Sequence, residues 1–227
     1  MPRGFEGGAI IPFQIQPDTP QIPSLTDPNI IIVSGPGGSP WVTDPKNPHL
    51  GGNFDGGDLG SMYPNDLWPW LIQHFHPKTM ADIGCGTGET AQWFAERGMW
   101  TIGVDGLPYN VKRCKQPTIL HDFEKQGPCG LPIVDLVWCA DVAEHIAEEH
   151  VDALLATLVQ GKVLAMCQGT DAHPGGWHHV NNKPEQYWID KLAALGMIED
   201  KDATVHSHTL TKVGWWDVSG RIYRRHG

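Results

Sequence analysis

Two sets of side chains in this 227-residue chain have the types and spacing to do chemistry. The first is Asp82-x-Gly84-x-Gly86-x-Gly88, which follows a short apolar run and precedes an amphipathic one. Glycine permits positive φ and lets a ligand approach the main chain with no Cβ in the way. The turn leads into a helix N-terminus, whose free N–H groups form a polar cradle. A dinucleotide fingerprint would need a glycine at position 89, which is Glu89. Asp82 adds a carboxylate at the strand end, where it would repel a pyrophosphate and accept from an ammonium group. The second set is Asp141-x-x-Glu144-His145 with His178 and His179. Histidine titrates near neutral pH without special tuning, so His179, His178 and His145 are candidate general bases. The same stretch is a candidate divalent-metal site. Asp141, Glu144 and His145 fall within one turn, and His178 or His179 could add a fourth donor.

The elements that must position these residues follow from periodicity. Strands are expected at Thr79 to Ile83, Trp100 to Val104, Thr118 to Leu120, Asp135 to Cys139 and Lys162 to Met166. Between them run helices. Asp66 to Phe75 is capped by Asn65 and ended by Pro77. The next runs to Arg97 and is closed by Gly98. Others are Tyr109 to Cys114, a helix through Val159, and Pro184 to Leu195, ended by Gly196. The tail, Ala203 to Arg224, reads as two strands joined by Lys212 to Trp215. Alternating strands and helices give a doubly wound α/β sheet, whose ligands bind outside the strand carboxyl ends. Asp82, Asp105, Asp122, the Asp141 to His145 stretch and the polar loop Gly169 to Asn182 all follow such ends, so they should meet in one crevice. Asp105 lies about twenty residues past the first glycine, in place to accept from a ribose diol.

The first sixty residues differ from the rest. Pro and Gly are dense, and the one apolar run, Ile30 to Val33, reads as an edge strand or a plug. Gly51-Gly52-Asn53-Phe54 and Gly56-Gly57-Asp58 form a second glycine-rich patch, with Tyr63-Pro64 and Trp68 beyond it, and could fold over the crevice. The expected division is a Pro/Gly-rich arm at 1–60, a possible active-site cover, and a ligand-binding domain at 61–227. A net charge of −10 argues against a broad nucleic-acid footprint, which is built mainly from Lys and Arg. Five cysteines without C-x-x-C spacing read as free thiols in a reducing compartment. No apolar run approaches the ~20 residues of a membrane-spanning helix. A cytoplasmic protein without membrane contacts is expected, its oligomeric state open.

The spacing Asp82-x-Gly84-x-Gly86-x-Gly88 resembles motif I of the class I S-adenosylmethionine-dependent methyltransferases. The resemblance extends over roughly Leu67 to the end. It also rests on Asp105, Asp122-Phe123, Asp135-Leu136-Val137-Trp138 and Glu144-His145-Ile146. The block from Gly51 to Gly196, with Asp105-Gly106-Leu107-Pro108 and His178-His179-Val180-Asn181, is similar to small bacterial and phage-encoded methyltransferases of unassigned substrate. The resemblance implies a Rossmann-like seven-stranded sheet with its last strand antiparallel. It implies S-adenosyl-L-methionine held by Asp82, Gly84, Cys85, Gly86, Gly88, Asp105, Gly106, Asp122, Phe123 and Ala140, with Asp122 taking the adenine amino group and Phe123 flanking the ring. The acceptor implied is a small molecule or glycan, methylated at oxygen. Open alternatives are N-methylation, methylation of an RNA end, and a catalytically silent cofactor-binding module. An NAD(P) enzyme is disfavoured by Glu89. Asp141, Glu144, His145 and His179 are also similar to the donors of some metal-dependent O-methyltransferases, where a divalent cation holds the acceptor hydroxyls.

Overall fold

The computed structural model describes residues 31–34, 40–54, 66–172, 175–211 and 213–226. Ten strands and eight helices are used below. The strands are β1 (Ile31–Ser34), β2 (Pro40–Thr43), β3 (Gly51–Phe54), β4 (Thr79–Ile83), β5 (Trp100–Asp105), β6 (Thr118–Leu120), β7 (Val134–Ala140), β8 (Gly161–Cys167), β9 (Met197–Glu199) and β10 (Arg221–Arg225). The helices are α1 (Leu67–Phe75), α2 (Glu89–Ala95), α3 (Pro108–Val111), α4 (Phe123–Gln126), α5 (Val151–Leu158), α6 (Glu185–Ala194), α7 (Lys201–Thr209) and α8 (Gly214–Ser219).

Seven strands form the main sheet in the order β6-β5-β4-β7-β8-β10-β9. Strands β4 to β8 pair in parallel, and β10 runs antiparallel between β8 and β9. The expected doubly wound seven-stranded sheet with its last strand antiparallel is thus the observed one. Its central strands are apolar on both faces, as strands covered by helices on both sides must be. Along β7, Val137 and Cys139 join the core built with Leu154, Leu155 and Leu158 of α5. Leu136 and Trp138 alternate onto the opposite face. There Trp138 stacks on Trp216 at 5.1 Å and meets Trp68 edge-on at 5.7 Å, offset and T-shaped geometries that aromatic rings favour. Helix α1 stops where His76 turns left-handed (φ 50°), with Pro77 following.

The tail differs from its expected pair of strands. Lys201–Thr209 is helix α7, Gly214–Ser219 is helix α8, and only β10 is a strand within that stretch. The β-branched Thr204, Val205 and Thr209 favour a strand by local preference, but tertiary packing overrides it. Asp200 caps α7 by accepting from the Ala203 amide at 3.0 Å, and Ala203, Thr204 and Ser207 bury one helical face. The sixth strand of the main sheet in chain order is instead β9, Met197–Glu199, directly after Gly196.

Within the expected arm, β1, β2 and β3 form a separate three-stranded antiparallel sheet, with β1 at its edge. Val42 and Leu50 pack with Leu107 and Tyr109 next to α3. Asn65, Gly56-Gly57-Asp58, Tyr63-Pro64 and Lys212 lie outside the described residues. Among the described residues, no helix is long and apolar enough to cross a membrane.

Candidate active site

The turn after β4 is pinned to its neighbour strand. The amides of Gly84 and Cys85 both donate to the Val104 carbonyl, at 2.8 and 3.1 Å. Gly84, Gly86 and Gly88 take φ of 71°, 54° and 86°, conformations in which a Cβ is strained. At Gly84 an added Cβ would also collide with Val142. Asp105, at the end of β5, locks the turn from the far side. Its Oδ2 accepts from the Gly86 amide at 2.9 Å, and its Oδ1 from the Leu107 amide at 2.8 Å and Asn110 Nδ2 at 3.2 Å. Burial pushes the Asp105 carboxyl up to about 6.

A cavity of about 780 Å³ opens along the carboxyl ends of β4, β5, β7 and β8. Gly84, Cys85, Gly86, Asp105, Gly106 and Phe123 line one part of it. Ala140, Asp141, Glu144, His145 and His179 line another. The topology therefore gathers most of the residues singled out in the sequence, although they are far apart along the chain. Four lie off its wall. Asp82 is buried behind the turn at 2% exposure, where its carboxylate accepts from the Ala91 amide of α2 at 3.1 Å. Gly88 forms the N-terminal cap of α2 beyond the wall, against Cys114. Asp122 has its oxygens committed: Oδ1 caps α4 through the Glu124 amide at 3.0 Å and meets His49 Nε2 at 3.0 Å, while Oδ2 pairs with Lys125 at 3.1 Å. His178, in the left-handed region at φ 49°, also lies off the wall.

The loop after β8 is anchored to the Glu144 carbonyl, which takes the amides of Val180 and Asn181 at 2.9 and 3.0 Å. That anchor brings His179 to the side chains of Glu144 and His145. His179 Nε2 lies 4.0 Å from Glu144 Oε1, and the two imidazole rings meet edge-on at 4.9 Å. One donor atom from each of Glu144, His145 and His179 falls within 4.8 Å of the others. Nδ1 of both histidines is buried without a hydrogen-bond partner among the described residues. The Glu144 carboxylate is buried with only loose contacts from its own and the Gly169 backbone amides, too long or bent to count as full hydrogen bonds. Such groups carry a desolvation cost unless something else satisfies them. Burial, with Asp141 nearby, pushes Glu144 up to about 8. Burial, with His179, His178 and His49 adding to it, pushes His145 down to about 3. His179 is lowered by burial and by His178. Asp141 stands apart from this cluster. It is left-handed at φ 53°, its carboxylate takes the Cys167 thiol at 3.7 Å, and burial raises it to about 6.

The β2–β3 segment covers one wall. Asn53 and Asn110 exchange side-chain hydrogen bonds at 3.2 and 3.0 Å, which ties the segment to the Asp105 network. Trp177 donates from Nε1 to the Pro48 carbonyl at 2.9 Å, and His49 reaches Glu124 at 3.5 Å besides Asp122. A Cβ on Gly52 would lie 3.0 Å from the His145 ring. His49, Asn110 and Trp41 were not apparent as site residues in the sequence. Asn53 was, through its place in the second glycine-rich patch. Among the tryptophans of the C-terminal half, Trp177 and Trp215 line the cavity, while Trp188 and Trp216 are fully buried core. The Tyr187 hydroxyl donates to Glu148 at 2.7 Å.

A parallel sheet with one antiparallel strand second from its edge, and a ligand crevice at the strand carboxyl ends, is the fold of class I methyltransferases. Solved structures agree. A sugar N-methyltransferase from Streptoalloteichus sp ATCC 53650 superposes with a TM-score of 0.56 at 15% identity, over 76% of this chain and 90% of that one. Magnesium protoporphyrin IX methyltransferase from Synechocystis PCC 6803, with bound S-adenosylmethionine, gives 0.51 at 18% identity over 73% and 79%. A 1,6-didemethyltoxoflavin-N1-methyltransferase from Burkholderia thailandensis gives 0.52 at 15% identity over 75% and 80%. At these identities the likeness establishes the fold. No curated protein sequence matches the chain. Residues 81–160, from the glycine turn to the end of α5, match the family model described as a methyltransferase domain. The chain carries an S-adenosylmethionine-dependent methyltransferase domain of class I.

Proposed function

We propose that the protein methylates an oxygen of a small-molecule or glycan acceptor, with the cofactor lying against Gly84–Gly86 and Asp105. The observation that carries this reading is the buried, poorly satisfied Glu144–His145–His179 cluster in the same cavity as the glycine turn. S-adenosylmethionine supplies the electrophilic methyl carbon. Asp105 takes the ribose hydroxyls and Phe123 flanks the base, while the missing Cβ of Gly106 lets Leu50 close against the turn. Asp122 serves by shaping the loop and engaging His49. The acceptor hydroxyl is held at the cluster, in line with the methyl carbon. Its oxygen attacks that carbon, the sulfur–carbon bond breaks, and the hydroxyl proton passes to the ionised form of Glu144. At about 8 that carboxylate is the strongest base of the three and is populated on the alkaline side of neutrality, so turnover rises with pH through that range. His145 stays neutral and orients the acceptor, with His179 beside it. A net charge of −10 keeps nucleic-acid acceptors out of this reading.

A second reading is favoured by the donor set itself. One carboxylate and two neutral imidazoles within 4.8 Å suit a divalent transition-metal cation and leave positions open for acceptor oxygens. Glu144, His145 and His179 would hold it, without Asp141. Both readings are tested by transfer of labelled methyl from S-adenosylmethionine to a panel of hydroxylated acceptors. Glu144→Gln should lower turnover by about 10²- to 10⁴-fold and leave S-adenosylhomocysteine affinity unchanged. Unchanged turnover in this variant would overturn the assignment of the cluster. Loss of transfer on chelation, restored by one added cation, supports the metal; full activity in chelator eliminates it.

A further inference from the structure

Two thiols sit at the cofactor turn, and neither sulfur has a part in the methyl transfer proposed above. Cys85 lies between Gly84 and Gly86 and is 8% exposed. Cys114 follows α3 and is partly exposed. Their Sγ atoms are 4.0 Å apart. Cys114 Sγ also lies 3.4 Å from the Gly86 carbonyl and 3.5 Å from that of Asn110. The two thiols bracket the turn. A Cβ on Gly88 would stand 3.1 Å from Cys114 Sγ, and one on Gly103 would stand 2.7 Å from Cys85 Sγ. Absence of those Cβ atoms is what lets the sulfurs approach each other here.

We propose that Cys85 and Cys114 form a peroxide-oxidisable dithiol site beneath the cofactor turn, and that their disulfide weakens cofactor binding. The Cys114 thiolate attacks one oxygen of hydrogen peroxide, the O–O bond breaks, hydroxide leaves, and the sulfur becomes a sulfenic acid. The Cys85 sulfur then attacks that sulfur. The S–O bond breaks, and the departing hydroxide leaves as water with the Cys85 proton. Two thiols and one peroxide thus give one disulfide and two waters, and a thiol reductant reverses the change. Cys114 is the first to react because it is the more exposed. Its hydrogen bond with Cys85 also holds its pKa below the ordinary thiol value, whereas the same contact and burial push Cys85 up.

Bond formation must bring the sulfurs from 4.0 Å to about 2.0 Å. The Cys85 amide is held to the Val104 carbonyl at 3.1 Å, so a shift of Cys85 has to be taken up by the glycines on either side of it. Its shift draws Gly86 away from Asp105, whose Oδ2 holds the Gly86 amide at 2.9 Å. The affinity effect rests on the cofactor reading given above; the dithiol itself does not.

The test treats the full chain with hydrogen peroxide. Peptide mapping and isothermal titration with S-adenosylhomocysteine follow, before and after dithiothreitol. Support is a peptide linked through Cys85 and Cys114, together with a loss of affinity of about tenfold, the worth of one charge-assisted hydrogen bond. Dithiothreitol should restore it. Cys114→Ser should give no linked peptide and hold its affinity through peroxide. Absence of the linked peptide in the wild type, or undiminished affinity in the linked form, overturns the proposal. If the reduced protein fails to bind S-adenosylhomocysteine at all, the cofactor reading falls, and the linked peptide alone still decides the dithiol.

Discussion

Asp82 is 2% exposed, and burial pushes its carboxyl up to about 8. In the sequence it reads as a negative charge that screens out phosphate. In the structure it is mostly neutral at pH 7 and holds the N-terminus of α2 through the Ala91 amide. Asp105 and Asp141, which line the cavity, are raised only to about 6 and so carry more negative charge at pH 7 than Asp82. A group whose folded pKa is raised stabilises the fold fully below its unfolded pKa and loses that contribution as pH climbs through the folded one. Asp82→Asn keeps an acceptor for Ala91 and cannot ionise. Its unfolding free energy, from denaturant titration, should therefore be close to wild type at pH 4 and exceed it at pH 8 by about 1 kcal/mol or more. Asp82→Ala should cost about 1–3 kcal/mol at both, because the Ala91 amide loses its partner. A deficit in Asp82→Asn that grows with pH would show that the carboxylate works as a charge. The backbone position of Asp82 was legible from one strand and three glycines. Its ionisation was not, because desolvation depends on α2 and β5 closing over it.

The β2–β3 segment shows the same limit at the scale of an element. Strands β4 to β8 were readable because each is a short apolar run followed by a chemically marked turn. The segment before them has few apolar residues, and its attachments are side chains meeting partners far along the chain: His49 with Asp122, Asn53 with Asn110, and Pro48 with Trp177. No local periodicity encodes such pairs. The tail failed for a related reason, since Asp200 capping and the face of Ala203, Thr204 and Ser207 outweigh β-branched preference. If β3 is a cover latched by Asn53, then Asn53→Ala should speed amide exchange in Gly51–Phe54 about tenfold, the equivalent of one or two hydrogen bonds. Global stability should change by less than about 1 kcal/mol, and cofactor dissociation should quicken. Exchange in Gly51–Phe54 as slow as in wild type would mean that packing of Val42 and Leu50, rather than the amide pair, holds the cover.

Across the whole molecule, two pH windows oppose each other. Asp135, held down to about 2 by Lys162 and by the Lys78 and Thr79 amides, contributes stability above its unfolded pKa and loses it as pH falls towards about 2. Asp105 and Asp82 act in the other direction, losing their contribution as pH rises through about 6 and about 8. The net charge of −10 adds repulsion in that upper range. The apo protein should therefore be most stable on the acidic side of neutrality. Cofactor binding should run against this trend. On the proposed reading, a ribose diol would donate to the ionised form of Asp105, and the sulfonium and ammonium groups would favour ionised carboxylates in the cavity. Binding then draws Asp105 towards its charged form and releases protons. Affinity for S-adenosylmethionine should rise about tenfold from pH 5 to pH 7, as expected for a carboxyl titrating at about 6, and flatten above it. Titration calorimetry in buffers of different ionisation enthalpy measures both the affinity and the proton count. Asp105→Asn should bind more weakly at every pH and lose the slope. A flat wild-type profile would detach Asp105 from the ribose. A slope that persists in Asp105→Asn would assign the titration to Asp141 instead, which lines the same cavity and is also raised to about 6.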